Sequence, residues 1–229
     1  MKEVCKTYKP EILTCPICSS KLAYCFTMSN KLVYFSSGKR MRIKNLGYFC
    51  PKCGKGKTYV SQTAKKLSFK GYSYSAKILC QVAVLKEKHM SRDHICDYFF
   101  SKGIEISDRN VDNLYKKFLS LSAIDESSLI PTAYSKMIEE YSQIRLAIDV
   151  ITVEKNVFII VYDYFSTDIL AFKRFNSLDD INLKKFLSSY INPNMNITVI
   201  ATIRKDQVFI PYLKSICPEN TKIIAFNKY

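Results

Sequence analysis

The chain has 229 residues, 48% of them hydrophobic, which is enough for one large core or two to three small ones and excludes an extended tail or linker. Its longest uninterrupted apolar run, Val157 to Tyr162, is far short of the roughly 20 residues a membrane-spanning helix needs, and the first ten residues, Met1 to Pro10, lack the apolar stretch of a secretory leader. A cytoplasmic protein without a membrane partner is expected.

Net charge is +15 and unevenly placed: residues 1–72 carry 15 Lys/Arg against 2 Asp/Glu, residues 73–130 carry 8 against 8, and residues 131–229 carry 12 against 10. A surface that only meets solvent would spread its charge more evenly, so the basic N-terminal third points to a nucleic acid. The nine cysteines are odd in number, and four of them sit in two tight pairs. That pattern favours reduced thiols and metal binding over a disulfide framework.

In chain order, residues 1–72 come first and are expected to form a zinc ribbon with a basic linker. Cys15-Pro16-Ile17-Cys18 and Cys50-Pro51-Lys52-Cys53-Gly54 are two knuckles in which a two-residue gap lets both sulfurs of a pair face one ion. Cys15, Cys18, Cys50 and Cys53 would complete a closed, structural four-thiolate Zn²⁺ site. Between the knuckles a hairpin is expected, Lys31 to Phe35 and Arg40 to Lys44, turned at Ser36-Ser37-Gly38. With little else in the segment to form a core, its folding should depend on the metal. Lys39, Arg40, Arg42 and Lys44 accompany Tyr34, Phe35 and Tyr48, a mix suited to phosphate contact and base stacking, although the aromatics serve equally well as the ribbon's own core. Cys25 reads as packing, and the basic run Lys65 to Lys70 reads as linker.

Residues 73–125 show three helical patterns. Ser75 to Lys88 carries Ile78, Val82 and Leu85 on one stripe; Ser91 caps a second helix with Ile95 and Phe99 that ends at Gly103. Ser107 caps a third, whose core face is Val111, Leu114, Tyr115, Phe118 and Leu119. Its opposite stripe, Arg109, Asn113, Lys116 and Lys117, has the side chains that bond base edges and phosphates, so a three-helix, helix-turn-helix DNA-binding domain is expected. Asp108 and Asp112 lie near that face. His89 and His94 match no metal-ligand spacing and are expected to be surface residues of the helix.

Residues 140–229 change to short β-branched and aromatic runs. Strands are expected at Leu146 to Val150, Val157 to Tyr164, Asp168 to Phe175, Ile197 to Ile203 and Lys222 to Phe226, with helices at Ser177 to Tyr190 and about Asp206 to Ile216. Three strands, a helix, a strand, a helix and a strand is the order of an RNase H-like α/β domain. The whole reads as a multidomain protein.

The two knuckles, the helix-turn-helix pattern, the Leu146-Ala147-Ile148-Asp149 strand and the Cys217-Pro218-Glu219-Asn220 segment together resemble a DDE-type transposase of a prokaryotic insertion sequence, over most of the chain. The resemblance implies an Asp-Asp-Glu or Asp-Asp-Asp triad that holds two divalent ions for attack on DNA phosphate. Asp149 matches its first carboxylate. The second should follow the fourth strand directly, near Ile203 or Arg204 when counted back from Pro218, and Asp206 comes two or three residues late. The third would lie beyond Pro218, on a helix the chain does not reach before Tyr229. The resemblance thus implies an incomplete RNase H-like domain in a truncated, inactive, nucleoid-associated transposase derivative that keeps its zinc-dependent DNA-binding half, with Mg²⁺ required only if catalysis survives. Two further readings share these residues. One is an active Mg²⁺-dependent transposase or nuclease completed by a second chain; the other is a zinc-dependent transcriptional regulator whose C-terminal part forms a homodimer.

Overall fold

The strand, turn, strand signal between Lys31 and Lys44 is realised as the middle of a longer hairpin, β2 (Ala23–Tyr34) and β3 (Arg40–Cys50), paired antiparallel from Ala23↔Phe49 to Tyr34↔Arg40. The structure is a computed structural model describing residues 3–177, 181–191, 197–202 and 209–225. The chain forms two units, Met1–Ser120 and Leu121–Tyr229. The segments 1–72 and 73–125, expected as separate domains, share the first of them as far as Ser120.

In the first unit β3 is the shared strand. β1 (Val4–Tyr8) lies parallel to its residues Met41 to Asn45, and β4 (Gly54–Tyr59) pairs antiparallel with its C-terminal end. The hairpin turn closes through Phe35 N–H to Lys39 O (2.9 Å) and Gly38 N–H to Phe35 O (3.0 Å). Gly38 has φ +78°, and a Cβ there would fall 2.3 Å from the Lys102 carbonyl oxygen. Only glycine suits that backbone and that approach, and through it the turn packs against the helical part of the unit.

Residues 62–70 correct the expectation of a basic linker. They open with α1 (Gln62–Lys66), whose Gln62, Thr63, Ala64 and Lys66 are buried, and continue into buried Leu67, Ser68 and Phe69. Partners distant in sequence make this burial affordable. The Glu11 carboxylate accepts hydrogen bonds from the Ser61 hydroxyl (2.6 Å) and from the Gln62 and Thr63 N–H groups (3.0 and 2.9 Å). The buried Asn45 amide exchanges two bonds with the Ser61 backbone (3.0 and 3.1 Å). Ala64 and Leu67 then close an apolar cluster with Tyr8, Val33 and Ile43. The expectation that the segment between the knuckles offers little core is therefore revised, since Val33 and Ile43 lie in this cluster.

Helices α2 (Ala76–Glu87), α3 (Arg92–Phe100) and α4 (Asp108–Ser122) complete the unit. The Ser91 hydroxyl accepts from His94 N–H and the Ser107 hydroxyl from Asn110 N–H, so both anticipated caps are made. The α3–α4 connection spans 101–107, so α3 ends at Phe100, short of the expected Gly103. Ile78, Val82, Ile95, Phe99, Val111, Leu114 and Phe118 are buried as their spacing requires. Leu119, expected on the core face, is 49% exposed, and Leu121 takes the buried position.

In the second unit, α5 (Glu126–Tyr141) precedes a five-stranded sheet of order β7-β6-β5-β8-β9. β5 (Ile144–Val153), β6 (Asn156–Asp163) and β7 (Ile169–Phe175) are antiparallel; β8 (Ile197–Thr202) and β9 (Lys222–Ala225) run parallel to β5. α6 (Ile181–Tyr190) and α7 (Phe209–Ile216) connect them. Leu146, Ile148, Ile159 and Val161 form one continuous core with Met137 from α5, Leu187 and Tyr190 from α6 and Leu213 from α7. The molecule is a mixed α/β protein with two sheets, and among the described residues no helix is long and apolar enough to cross a membrane.

Candidate functional site

Each knuckle is a tight turn that leaves its second cysteine through a left-handed residue, Ser19 (φ +57°) after Cys18 and Gly54 (φ +83°) after Cys53. Cys15 anchors the first by bonding both ways, its N–H to Ser20 O (2.8 Å) and its carbonyl to Ser19 N–H (2.9 Å). The β2–β3 pairing then brings the knuckles together. The four sulfurs lie within 4.8 Å of one another, with Cys18···Cys50 and Cys18···Cys53 at 3.4 Å and Cys15···Cys53 at 3.8 Å. Tetrahedral thiolates at about 2.3 Å from an ion would stand roughly 3.8 Å apart. The four cysteines thus form a cluster able to hold a metal such as zinc.

The environment favours thiolate at part of this cluster. Hydrogen bonds from Ser20, then from the Cys50 and Cys53 thiols, pull Cys18 down to about 6. Burial pushes Cys15 up, but the Cys18 and Ile17 backbone N–H groups outweigh it and leave its value lowered. Cys53 is pushed up to about 12, first by its hydrogen bond to Cys18. Cys15 and Cys50 are buried, with Leu22 and Tyr48 packed around them. Cys25, expected to be packed, is exposed on β2 and is not among the clustered sulfurs. His89 and His94 are exposed, and among the described residues no second group of three or more His, Cys, Asp or Glu side chains converges.

The α4 stripe is only partly a free surface. Arg109 and Lys116 are exposed, whereas Asn113 and Lys117 are half-buried. The two nearby acids are occupied. Asp112 pairs with Arg92 (3.0 Å) and Lys86 (3.4 Å), and Asp108 accepts from the Cys96 thiol (3.2 Å). Slight burial raises Asp112, but the bonds from Arg92 and Lys86 outweigh it, so its carboxyl sits below the usual range. Burial, then the Asp108 carboxylate, pushes Cys96 up to about 11.

On the hairpin, Lys39 and Lys44 are exposed and Arg40 is half-buried. Arg42 is bound to Glu3 (2.6 Å) because β1 lies parallel to β3, and that guanidinium holds the Glu3 carboxyl below its ordinary value. Of the flanking aromatics, Phe35 packs against the Val33–Ile43 cluster and Tyr48 belongs to the cluster with Cys15, Leu22 and Cys50. Tyr34 instead meets Tyr74, ring centroids 5.6 Å apart at 30°. This pair, with Asn110, borders two cavities of about 550 Å³ each. Neither cavity was anticipated, because nothing in the sequence singles out Tyr74 or Asn110.

Asp149 is half-buried on β5 opposite Ile160, one residue beyond the Ile148↔Thr202 pair at which β8 ends. Asp206, Ile203 and Arg204 lie outside the described residues. Asp163, near the opposite end of β5, is buried and accepts from Phe165 N–H (2.7 Å), Ser166 N–H (3.3 Å) and the Ser166 hydroxyl (2.9 Å). It closes the β6–β7 turn. Burial nevertheless raises its carboxyl above the ordinary range.

No family model matches the chain, and no curated protein matches it either.

Proposed function

We propose that this chain is a DNA-binding protein of transposase type, with a zinc ribbon at Cys15, Cys18, Cys50 and Cys53, a helix-turn-helix in α2 to α4 and an RNase H-like frame in the second unit. One observation carries the reading: α4 exposes Arg109 and Lys116 while both of its neighbouring acids are engaged, Asp112 by Lys86 and Arg92 and Asp108 by Cys96. The excess of positive charge in residues 1–72 belongs to the same unit. Lys39 and Lys44 on the hairpin add phosphate contacts, whereas Arg42 is already committed to Glu3. The strand order β7-β6-β5-β8-β9, centred on the strand that carries Asp149, supports the RNase H-like frame.

The test is fluorescence anisotropy of a labelled duplex across a salt series, for the wild type and for Arg109→Ala/Lys116→Ala. Each lost phosphate contact should reduce the slope of log K against log salt by about 1. The double variant should therefore bind roughly tenfold or more weakly at low salt, with a slope smaller by about 2. An unchanged slope, or no duplex binding by the wild type, would remove the reading.

A further inference from the structure

The two cavities beside Tyr74 have similar volumes and opposite chemistry. One is bordered by Asp97, Glu105 and Cys96 with the exposed Phe100, and its carboxylates would repel a phosphate. The other is bordered by Tyr34, Tyr72, Ser73, Tyr74, Asn110 and Asn113, with no carboxylate among its lining residues. Its volume of about 550 Å³ is in the range of small-ligand sites.

We propose that this second cavity binds one unpaired nucleobase of a nucleic acid strand. Tyrosine rings supply the π-surface on which any base can stack. The carboxamides supply the edge recognition, because an amide presents a donor and an acceptor side by side, the pattern of a base edge. Asn110 is held in place by donating to the Tyr74 hydroxyl (3.3 Å), which itself donates to the Glu105 carbonyl (3.0 Å). The Asn113 side-chain amide has no hydrogen-bond partner among the described residues, although its backbone carbonyl accepts from the Tyr72 hydroxyl (3.4 Å). A half-buried amide beside three tyrosines and without a partner is prepared for a polar planar ligand. Arg109 and Lys116 stand on the same helix, so a strand whose phosphates meet them can place a base in the cavity. Only this last step rests on the reading of α4 as the DNA-facing helix; the stack and the amides do not.

Anisotropy with three labelled duplexes tests the site: fully paired, with a single bulged adenine, and with an abasic residue at the bulge. Matching single strands with and without that base are run alongside. The wild type should bind the adenine bulge roughly tenfold more tightly than the abasic one, in line with base stacking on aromatic side chains. Ser73→Trp, at an exposed cavity-lining position, should abolish that difference and leave paired-duplex affinity and the thermal melt unchanged. Asn110→Ala should reduce the difference without abolishing it. Equal binding of base and abasic probes by the wild type, or a difference that persists in Ser73→Trp, overturns the proposal. If paired duplex is bound but the base is ignored, the cavity assignment fails alone. If paired duplex is not bound but single strands show the base-dependent difference, the cavity stands and the reading of α4 falls.

Discussion

The two ends of the β2–β3 hairpin are held by different means. At the knuckle end the buried cluster is small, Cys15, Leu22, Tyr48 and Cys50, and half of it is sulfur. At the turn end Val33 and Ile43 are fully buried against Tyr8, Ala64 and Leu67, and the Asn45, Ser61 and Glu11 network satisfies the polar groups that this burial removes from water. A cluster of four residues cannot offset the chain entropy of ordering two loops, whereas an apolar cluster with its polar groups paired can. If the four clustered cysteines hold a metal, one end of this sheet depends on it and the other does not.

Removal of one of the four clustered cysteines should have the largest effect and should divide the hairpin. Structural zinc contributes about 10–16 kcal/mol in small metal-folded peptides. Cys50→Ser should eliminate the bound metal, measured as moles per chain by elemental mass spectrometry. Amide protection should disappear at residues 13–22 and 48–54 and persist at 31–35 and 40–44 in hydrogen exchange. Loss of protection along the whole hairpin would show that its turn end also depends on the metal, and the contrast between the ends would fail.

The turn end can be attacked without touching the metal. Asn45→Ala leaves the buried Ser61 N–H without its partner and the Ser61 carbonyl with Lys65 N–H alone (3.3 Å). One such orphaned group costs about 1–3 kcal/mol, so a loss of roughly 2 kcal/mol is expected in urea unfolding, with metal content unchanged. Asn45→Asp, which can still accept from Ser61 N–H but cannot donate to its carbonyl, should still destabilise measurably. A cost below ~1 kcal/mol for the alanine variant would mean that water replaces the amide, and that the apolar cluster alone holds this end.

What was legible in the sequence follows the same division between local and distant causes. The knuckles were readable because two residues between cysteines fix their geometry within one turn. The caps at Ser91 and Ser107 and the buried stripe of α4 were readable because helical periodicity is a local property. The run Lys65 to Lys70 was misread as linker because its burial comes from residues far away along the chain: Leu67 packs with Tyr8, Val33 and Ile43, and the Ser68 hydroxyl accepts from Lys31. Leu119 was assigned to the core by spacing alone, but it is 49% exposed and Leu121 is buried instead. α5 was missed although Ile130, Ala133, Tyr134 and Met137 repeat at helical spacing, since Pro131 interrupts the run. The cavity could not be read at all, because it exists only where Tyr34 of the hairpin meets Tyr74 and α4.

The smallest effect is expected where the α4 acid is tied to its neighbours, and it is a useful control on the buried network. Asp112 bonds Arg92 and Lys86, but its side chain is 36% exposed and that of Arg92 54%, so solvent screens both pairs. Its folded value lies below the ordinary one, so its contribution is present above the unfolded value of about 3.9 and is lost as pH falls through the folded value. Asp112→Asn should cost less than ~1 kcal/mol at neutral pH and less again at high salt, and the variant should converge with the wild type in acid. The two Asn45–Ser61 bonds join uncharged groups and the Glu11 carboxylate is common to both proteins, so the Asn45→Ala deficit should survive the same change of pH. Urea midpoints of the two variants measured across the acid range separate the cases. If the Asp112→Asn cost persists after protonation, the acid acts through packing instead of charge, and its engagement by Arg92 and Lys86 no longer explains why the exposed face of α4 is cationic.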